Sequence, residues 1–250
     1  MKVSVRDLGR VGYGRCWQMQ QTLFDALLAR KAARRTAEAV RSAEAGDPAD
    51  AAGTVLLVEH PPVYTLGKSG REENLLVDRA VLERLGAEFF HIDRGGDITF
   101  HGPGQIVCYP VLDLERLGIG LREYIERLEE AVIRTVAAYG IAAGRVAGAS
   151  GVWIGMPHPA AGPAVGRSGD LRKICAIGVR SSRYVTMHGL ALNVTTDLEW
   201  FSRINPCGFR DRGVTSIARE TGREVPVAEV KELLIRRLGE RLGVEIEGLK

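Results

Sequence analysis

Apolar positions along the chain fall into two kinds of run. At 54–59 (TVLLVE), 88–92 (EFFHI), 174–179 (ICAIGV) and 189–194 (GLALNV) they form short β-type segments bounded by turn residues. Between these lie helical spacings. Over about 120–139, Leu121, Ile125, Leu128, Val132 and Val136 recur three or four apart, and Gly140 offers a stop. Pro226 opens a second helix at about Val227 to Leu242, with Val230, Leu233, Leu234, Leu238 and Leu242 on one side. Both stripes are expected to pack on a sheet. A third helix, over about 15–45, rests on propensity, since the stretch is rich in Ala, Arg, Gln and Glu and holds no proline until its end. The segment 156–170 (MPHPAAGPAVGRSGD) has little to bury and reads as an exposed loop. The pattern predicts an α/β or α+β fold, with residues 1–250 as one domain.

Composition narrows the class. Hydrophobic residues make up 45% of the 250 and charged residues 26%, which fits neither a disordered chain nor a membrane protein. The 34 basic and 31 acidic residues leave a formal charge of +3, too balanced for a protein built to neutralise phosphates, so no nucleic-acid partner is expected. No apolar leader follows Met1 and no window of about 18 apolar residues occurs, so the expected location is cytoplasmic, without a membrane span. Four cysteines (16, 108, 175 and 207) form no C-x-x-C pair, and five histidines (60, 91, 101, 158 and 188) show no H-x-x-x-H spacing. Free thiols and no metal are expected.

Chemistry concentrates in four places. The segment 94–110 (RGGDITFHGPGQIVCYP) sets Arg94, Asp97, His101 and Gln105 among glycines and prolines, where backbone turns sharply or approaches something closely. At 172–180 (RKICAIGVR), strand alternation places Lys173, Cys175, Ile177 and Val179 on one face, where a lysine is costly unless it stands at the strand's end or has work to do. In 187–193 (MHGLALN), Gly189 and Ala191 leave space for a ligand or allow close strand packing. At 205–208 (NPCG), proline and glycine force an irregular loop around Cys207, a setting in which a thiol is exposed and tunable, whereas Cys16, Cys108 and Cys175 read as buried hydrophobes. A thiolate nucleophile needs a base, and His101, His188 or a desolvated lysine would each serve. Gly67-Lys68-Ser69 resembles the end of a phosphate loop, but Pro62 stands where its first glycine belongs.

Taken in order, RGGDITFHGPGQIVCYPVLDL, KICAIGVR, HGLALN and NPCG resemble the motif series of the lipoyl (octanoyl) transferases, over about 94–208, with PPVYTLGK upstream and VTSIARE downstream agreeing more loosely. The resemblance implies the fold of the biotin and lipoate ligase catalytic domains. It implies Cys207 as nucleophile and Lys173 as its base. It maps acyl binding onto Arg94, Gly95, Gly96, Asp97, Ile98, Thr99, Phe100 and His101, onto Ala176, Ile177 and Gly178, and onto Gly189, Leu190 and Ala191. The implied donor is acyl carrier protein, whose phosphopantetheine bears the octanoyl thioester, and the enzyme itself needs no cofactor. The implied acceptors are lipoyl domains of 2-oxoacid dehydrogenases and the glycine cleavage H protein. Stretches near 31–52 and 156–170 look like insertions on this pattern, and Cys175 stands second as nucleophile. Rival readings are an ATP-dependent lipoate or biotin ligase, a transferase between lipoyl proteins, a cysteine hydrolase, and a non-catalytic acyl-binding module.

Overall fold

The computed structural model describes residues 1–40, 51–155, 171–205 and 213–248. In chain order the elements are β1 (Lys2–Arg10), α1 (Tyr13–Val40), β2 (Ala51–Glu59), β3 (Val63–Leu66), α2 (Arg79–Arg84), β4 (Glu88–His91), β5 (Ile98–His101), β6 (Gln105–Leu112), α3 (Leu121–Ala137), β7 (Ala143–Val146) and β8 (Ala149–Ile154). The second half adds β9 (Arg172–Ser182), β10 (Val185–Asn193), β11 (Gly213–Val214), α4 (Ile217–Thr221), α5 (Val227–Leu242) and β12 (Glu245–Glu247).

One large sheet has the order β12-β1-β2-β6-β10-β9-β8-β7, with β11 also paired to β9. Its β1–β12, β1–β2 and β9–β11 pairs are parallel and the others antiparallel, so the sheet is mixed. The central strands β6 and β10 are buried along their whole length because both faces are covered. That is why β10 reads in the sequence as an apolar run at 189–194. On one face Val55, Leu57, Ile106, Cys108 and Leu192 pack with Leu128 and Val132 of α3 and with Leu234 and Leu238 of α5. On the other, Leu56, Val58, Val107 and Tyr109 pack with Tyr13 and Cys16 of α1. A second, three-stranded sheet (β4-β3-β5) carries its own cluster of Tyr64, Leu66, Ile98 and Phe100.

The helical stripes hold with local adjustments. Leu121 is exposed at the start of α3, and in α5 Ile235 is buried while Leu233 stands at the edge of the contact. In α1 the inward positions are Tyr13, Cys16, Gln20, Phe24, Leu27 and Lys31, a helical period whose polar members hide it from a hydropathy reading. Lys31 is tolerated inside because its ammonium reaches Asp113 at 2.8 Å and Glu115 at 2.6 Å. Residues 31–40 of the first expected insertion continue this helix, whereas 41–50 and 156–170 lie outside the described residues. No described helix is long and apolar enough to cross a membrane.

Candidate active site

Simple alternation along β9 would put Lys173 beside Cys175 on one face. The structure separates them with a bulge. Val152 of β8 pairs with Cys175 and its neighbour Trp153 pairs with Lys173, so one step on β8 spans two on β9 and Ile174 is the extra residue. Ile174 and Cys175 are both turned into the core packed by α3 and α5. Lys173 instead joins Ala176, Ile177 and Gly178 in the wall of a cavity of about 320 Å³. Burial also raises the pKa of the fully buried Cys175 thiol far above the ordinary range. A buried, protonated thiol on the core side of the sheet makes Cys175 a poor nucleophile.

The glycine-rich segment lies across this sheet. Gly95 donates its N–H to Val179 O at 3.0 Å, and a Cβ on Gly178 would come within 2.8 Å of Gly95 O, so the approach requires glycine at 178. The N–H groups of Gly67, Lys68 and Ser69 donate to the carbonyls of Asp97, Arg94 and Gly96. The Gly-Lys-Ser stretch therefore has its backbone donors engaged and offers no phosphate cradle. The Asp97 carboxylate accepts from the backbone N–H groups of Ile98 and Arg71 and from Asn74 Nδ2 at 2.6 Å, while Asn74 O accepts from Asn205 N–H at 2.8 Å. Arg94 is 8% exposed, and its guanidinium donates to Thr65 O at 2.8 Å and to Gly95 O at 3.0 Å.

The deeply buried part of the cavity is lined by Tyr13, Tyr109, His101 and His188, while Phe201, Val214 and Lys173 are partly exposed. Gln105 Nε2 donates to Asn193 Oδ1 and Phe100 O, so its Oε1 accepts from His101 Nδ1–H at 2.8 Å, which fixes that tautomer. Burial lowers the His101 pKa to about 3 and the His60 pKa to about 4, the latter ring lying 2.9 Å from the Tyr109 hydroxyl. His188 has φ 60° and sets its ring 3.0 Å from Asp93, which also pairs with Arg180. Burial lowers its pKa as well, with Asp93 opposing.

His60 and His101 stay neutral in the folded chain but take up protons near the ordinary histidine value of about 6.5 once unfolded. Between that value and about 3 to 4 the unfolded state binds more protons, so stability falls as pH drops. The expected result is a urea midpoint lower at pH 5 than at pH 7. Carbon-bound proton NMR shifts of both rings should show no titration above pH 5, and a titration of either ring near 6.5 in the folded protein would contradict the assignment.

A chain of hydrogen bonds leads from this buried end to Lys173. Asn193 accepts from Gln105 and donates through Nδ2 to Thr215 O at 2.9 Å, and Thr215 N–H donates to Lys173 O at 3.0 Å. Next to it, Arg172 grips Glu220 through two bonds of 2.6 and 2.7 Å, and Glu220 accepts from the Thr215 hydroxyl. Lys173 is thus held between Trp153 of β8 and Val214 of β11. Cys207 lies outside the described residues. Its described flanks are Asn205, tied to Asn74, and Gly213, whose neighbour Val214 pairs with Lys173.

Residues 16–239 match the family described as the lipoyl protein ligase A/B catalytic domain. The chain belongs to this family. The octanoyltransferase of Bacteroides fragilis is 50% identical over 238 residues, covering 95% of this chain and 97% of the relative. The octanoyltransferase of Flavobacterium johnsoniae is 46% identical over 246 residues, covering 98% of each. A solved structure of an archaeal lipoylation system from Thermoplasma acidophilum, a bipartite lipoate protein ligase with its E2 lipoyl domain, superposes with a TM-score of 0.63. It covers 98% of this chain and 85% of that one at 18% identity, a likeness that speaks for the fold alone.

In this lipoyl protein ligase A/B domain the motif residues do not all share one surface. Arg94, Gly96, Asp97, Ile98, Thr99, His101, Lys173, Ala176, Ile177, Gly178, Gly189, Leu190 and Ala191 line the cavity. Gly95 and Phe100 are not among its lining residues. Gly95 is spent on the bond to β9, and Phe100 stacks on Trp200 with ring centroids 5.1 Å apart in the small sheet's cluster. Gly189 lines the cavity, but the tight constraint on it is strand packing, since a Cβ there would lie 2.2 Å from Cys108 O. Tyr13, Tyr109, Asn193, Phe201 and Val214 also line it and were not singled out by sequence. Asn193 closes the HGLALN motif and could have been found there; Tyr13, some eighty residues from the nearest motif, carries no local signal.

Proposed function

We propose that this chain transfers an octanoyl group from the phosphopantetheine thioester of acyl carrier protein to a lysine of a lipoyl domain, through a thioester on Cys207. The observation that carries the reading is Lys173, turned by the β9 bulge onto the wall of a largely buried cavity, in a chain half identical to octanoyltransferases. The cavity's volume, about 320 Å³, falls in the range that encloses one small ligand. Its walls include Ile98, Val107, Ile177 and Leu190, which suit an alkyl chain.

Lys173 takes the proton of the Cys207 thiol, and the thiolate attacks the octanoyl carbonyl. The carrier thiol leaves with the proton that Lys173 returns. The acceptor's lysine amine then attacks the acyl-cysteine, gives its proton to Lys173, and displaces the Cys207 thiolate as the amide forms. The thioester supplies the activation, so neither ATP nor a resident cofactor enters the scheme. Lipoyl domains of 2-oxoacid dehydrogenases and the glycine cleavage H protein are the proposed acceptors.

Mixing the protein with octanoyl-acyl carrier protein, without ATP, is expected to add one octanoyl group, mapped by peptide mass spectrometry to Cys207 and discharged by a lipoyl domain. Cys207→Ala is expected to form no adduct and to lose transfer below detection. Transfer near the wild-type rate by that variant, or transfer that requires ATP, would overturn the proposal.

A further inference from the structure

The side of Lys173 away from β11 is closed by an aromatic ring. Trp153 is 2% exposed, pairs directly with Lys173 across the β8–β9 bulge, and places its ring centroid 4.5 Å from the Lys173 ammonium nitrogen. Its indole N–H donates to Ala149 O at 3.3 Å, an anchor that restrains rotation of the ring. Gly151, at φ 111°, lets β8 approach β9 closely, since a Cβ there would lie 2.5 Å from Cys175 O, and it leaves bare backbone beside the Lys173 stem, 3.6 Å from Cε to the place of that Cβ. Gly151 is itself held, because its N–H donates to the buried Glu129 carboxylate at 3.0 Å, which Arg145 pairs at 2.9 Å. β8 thus presents an anchored aromatic face to the amine and bare backbone to its stem.

We propose that Trp153 is a positioning residue for the transfer reaction, whose ring face holds Lys173 in place and favours its protonated form by a cation–π contact. This rests on Lys173 being the base proposed above. An ammonium over an indole face is attracted by the ring's quadrupole, and the attraction grows when water is excluded, as it is around a ring this buried. The cycle forms an ammonium on Lys173 each time a thiol or amine gives up its proton, so stabilising that ammonium stabilises the thiolate–ammonium state from which the attack starts. Packing alone would need an apolar side chain of this size at 153, but not an electron-rich ring.

The test replaces Trp153 with progressively fluorinated tryptophans at that position only, which keep its shape while draining the ring face of charge, together with Trp153→Phe and Trp153→Leu. Competitive acetylation followed by peptide mass spectrometry gives the pH midpoint of Lys173 reactivity without reference to Cys207. The midpoint is expected to fall stepwise with fluorination and by about one pH unit in Trp153→Leu, with Trp153→Phe between, and the rate of acyl-enzyme formation should fall in the same order. Fluorinated proteins that fold normally and show an unmoved Lys173 midpoint would overturn the inference. A midpoint that moves in a protein forming no adduct on Cys207 would support the contact and refute the proposed function instead.

Discussion

Lys173→Met is expected to lower octanoyl transfer by roughly 10³-fold, within the range of about 10² to 10⁴ that a positioned general base supplies. Methionine keeps an unbranched apolar stem against Trp153 and the bare backbone at Gly151, so the fold and the cavity should survive. The two histidines in the cavity wall are poor substitutes. Burial holds the His101 pKa at about 3, far too low for a base at neutral pH, and its Nδ1–H is committed to Gln105. His188 is committed to Asp93, and burial lowers its pKa too. Single-turnover acylation by octanoyl-acyl carrier protein, with thermal unfolding as control, gives the comparison. A rate within tenfold of wild type in a folded variant would mean the proton leaves by another route.

Gly189→Ala is expected to lower stability by about 3 kcal/mol. The new Cβ would lie 2.2 Å from the Cys108 carbonyl oxygen and 2.7 Å from Pro110 Cδ. Neither obstacle is a flexible chain end, so β10 and β6 must move apart just where their ladder begins, at Leu190 and Cys108. For a chain of this length the loss corresponds to a melting temperature about 10 °C lower. Because Leu190 and Ala191 line the cavity on the same strand, octanoyl transfer should fall with it. An unchanged melting temperature would show that the two strands can separate at little cost. Gly189 therefore limits strand packing first and ligand space second.

The periodic elements were legible because their signal is local. The helix from Val227 to Leu242 was read from Pro226 at its start and from an apolar stripe that ends at Leu242, and in the structure Gly243, left-handed at φ 70°, closes it. The strands at β2 and β10 were read because burial on both faces leaves unbroken apolar runs, and β9, only partly buried, was read from the short apolar segment 174–179. Strands β1, β3, β5, β6, β7, β8, β11 and β12 passed unseen, being short, mixed in polarity or set beside glycines and prolines. The motifs located most of the cavity wall, and their order along the chain pointed to the family before any coordinate did. The placement of Phe100 and Gly95 was not legible, because side-chain direction in a glycine-rich segment follows from what the segment lies against, here β9 and the small sheet.

By itself the sequence determined the mixed α/β class, the two amphipathic helices, the buried free thiols at 16, 108 and 175 and the residue types available for acyl transfer. Each of these depends on composition or on neighbours within a few positions. Only the tertiary structure decided which face of β9 carries Lys173, because one extra residue at Ile174 reverses the alternation and is visible only against β8. The structure likewise set Trp153 over that amine and Tyr13 in the cavity wall, since both placements join residues that no spacing along the chain relates.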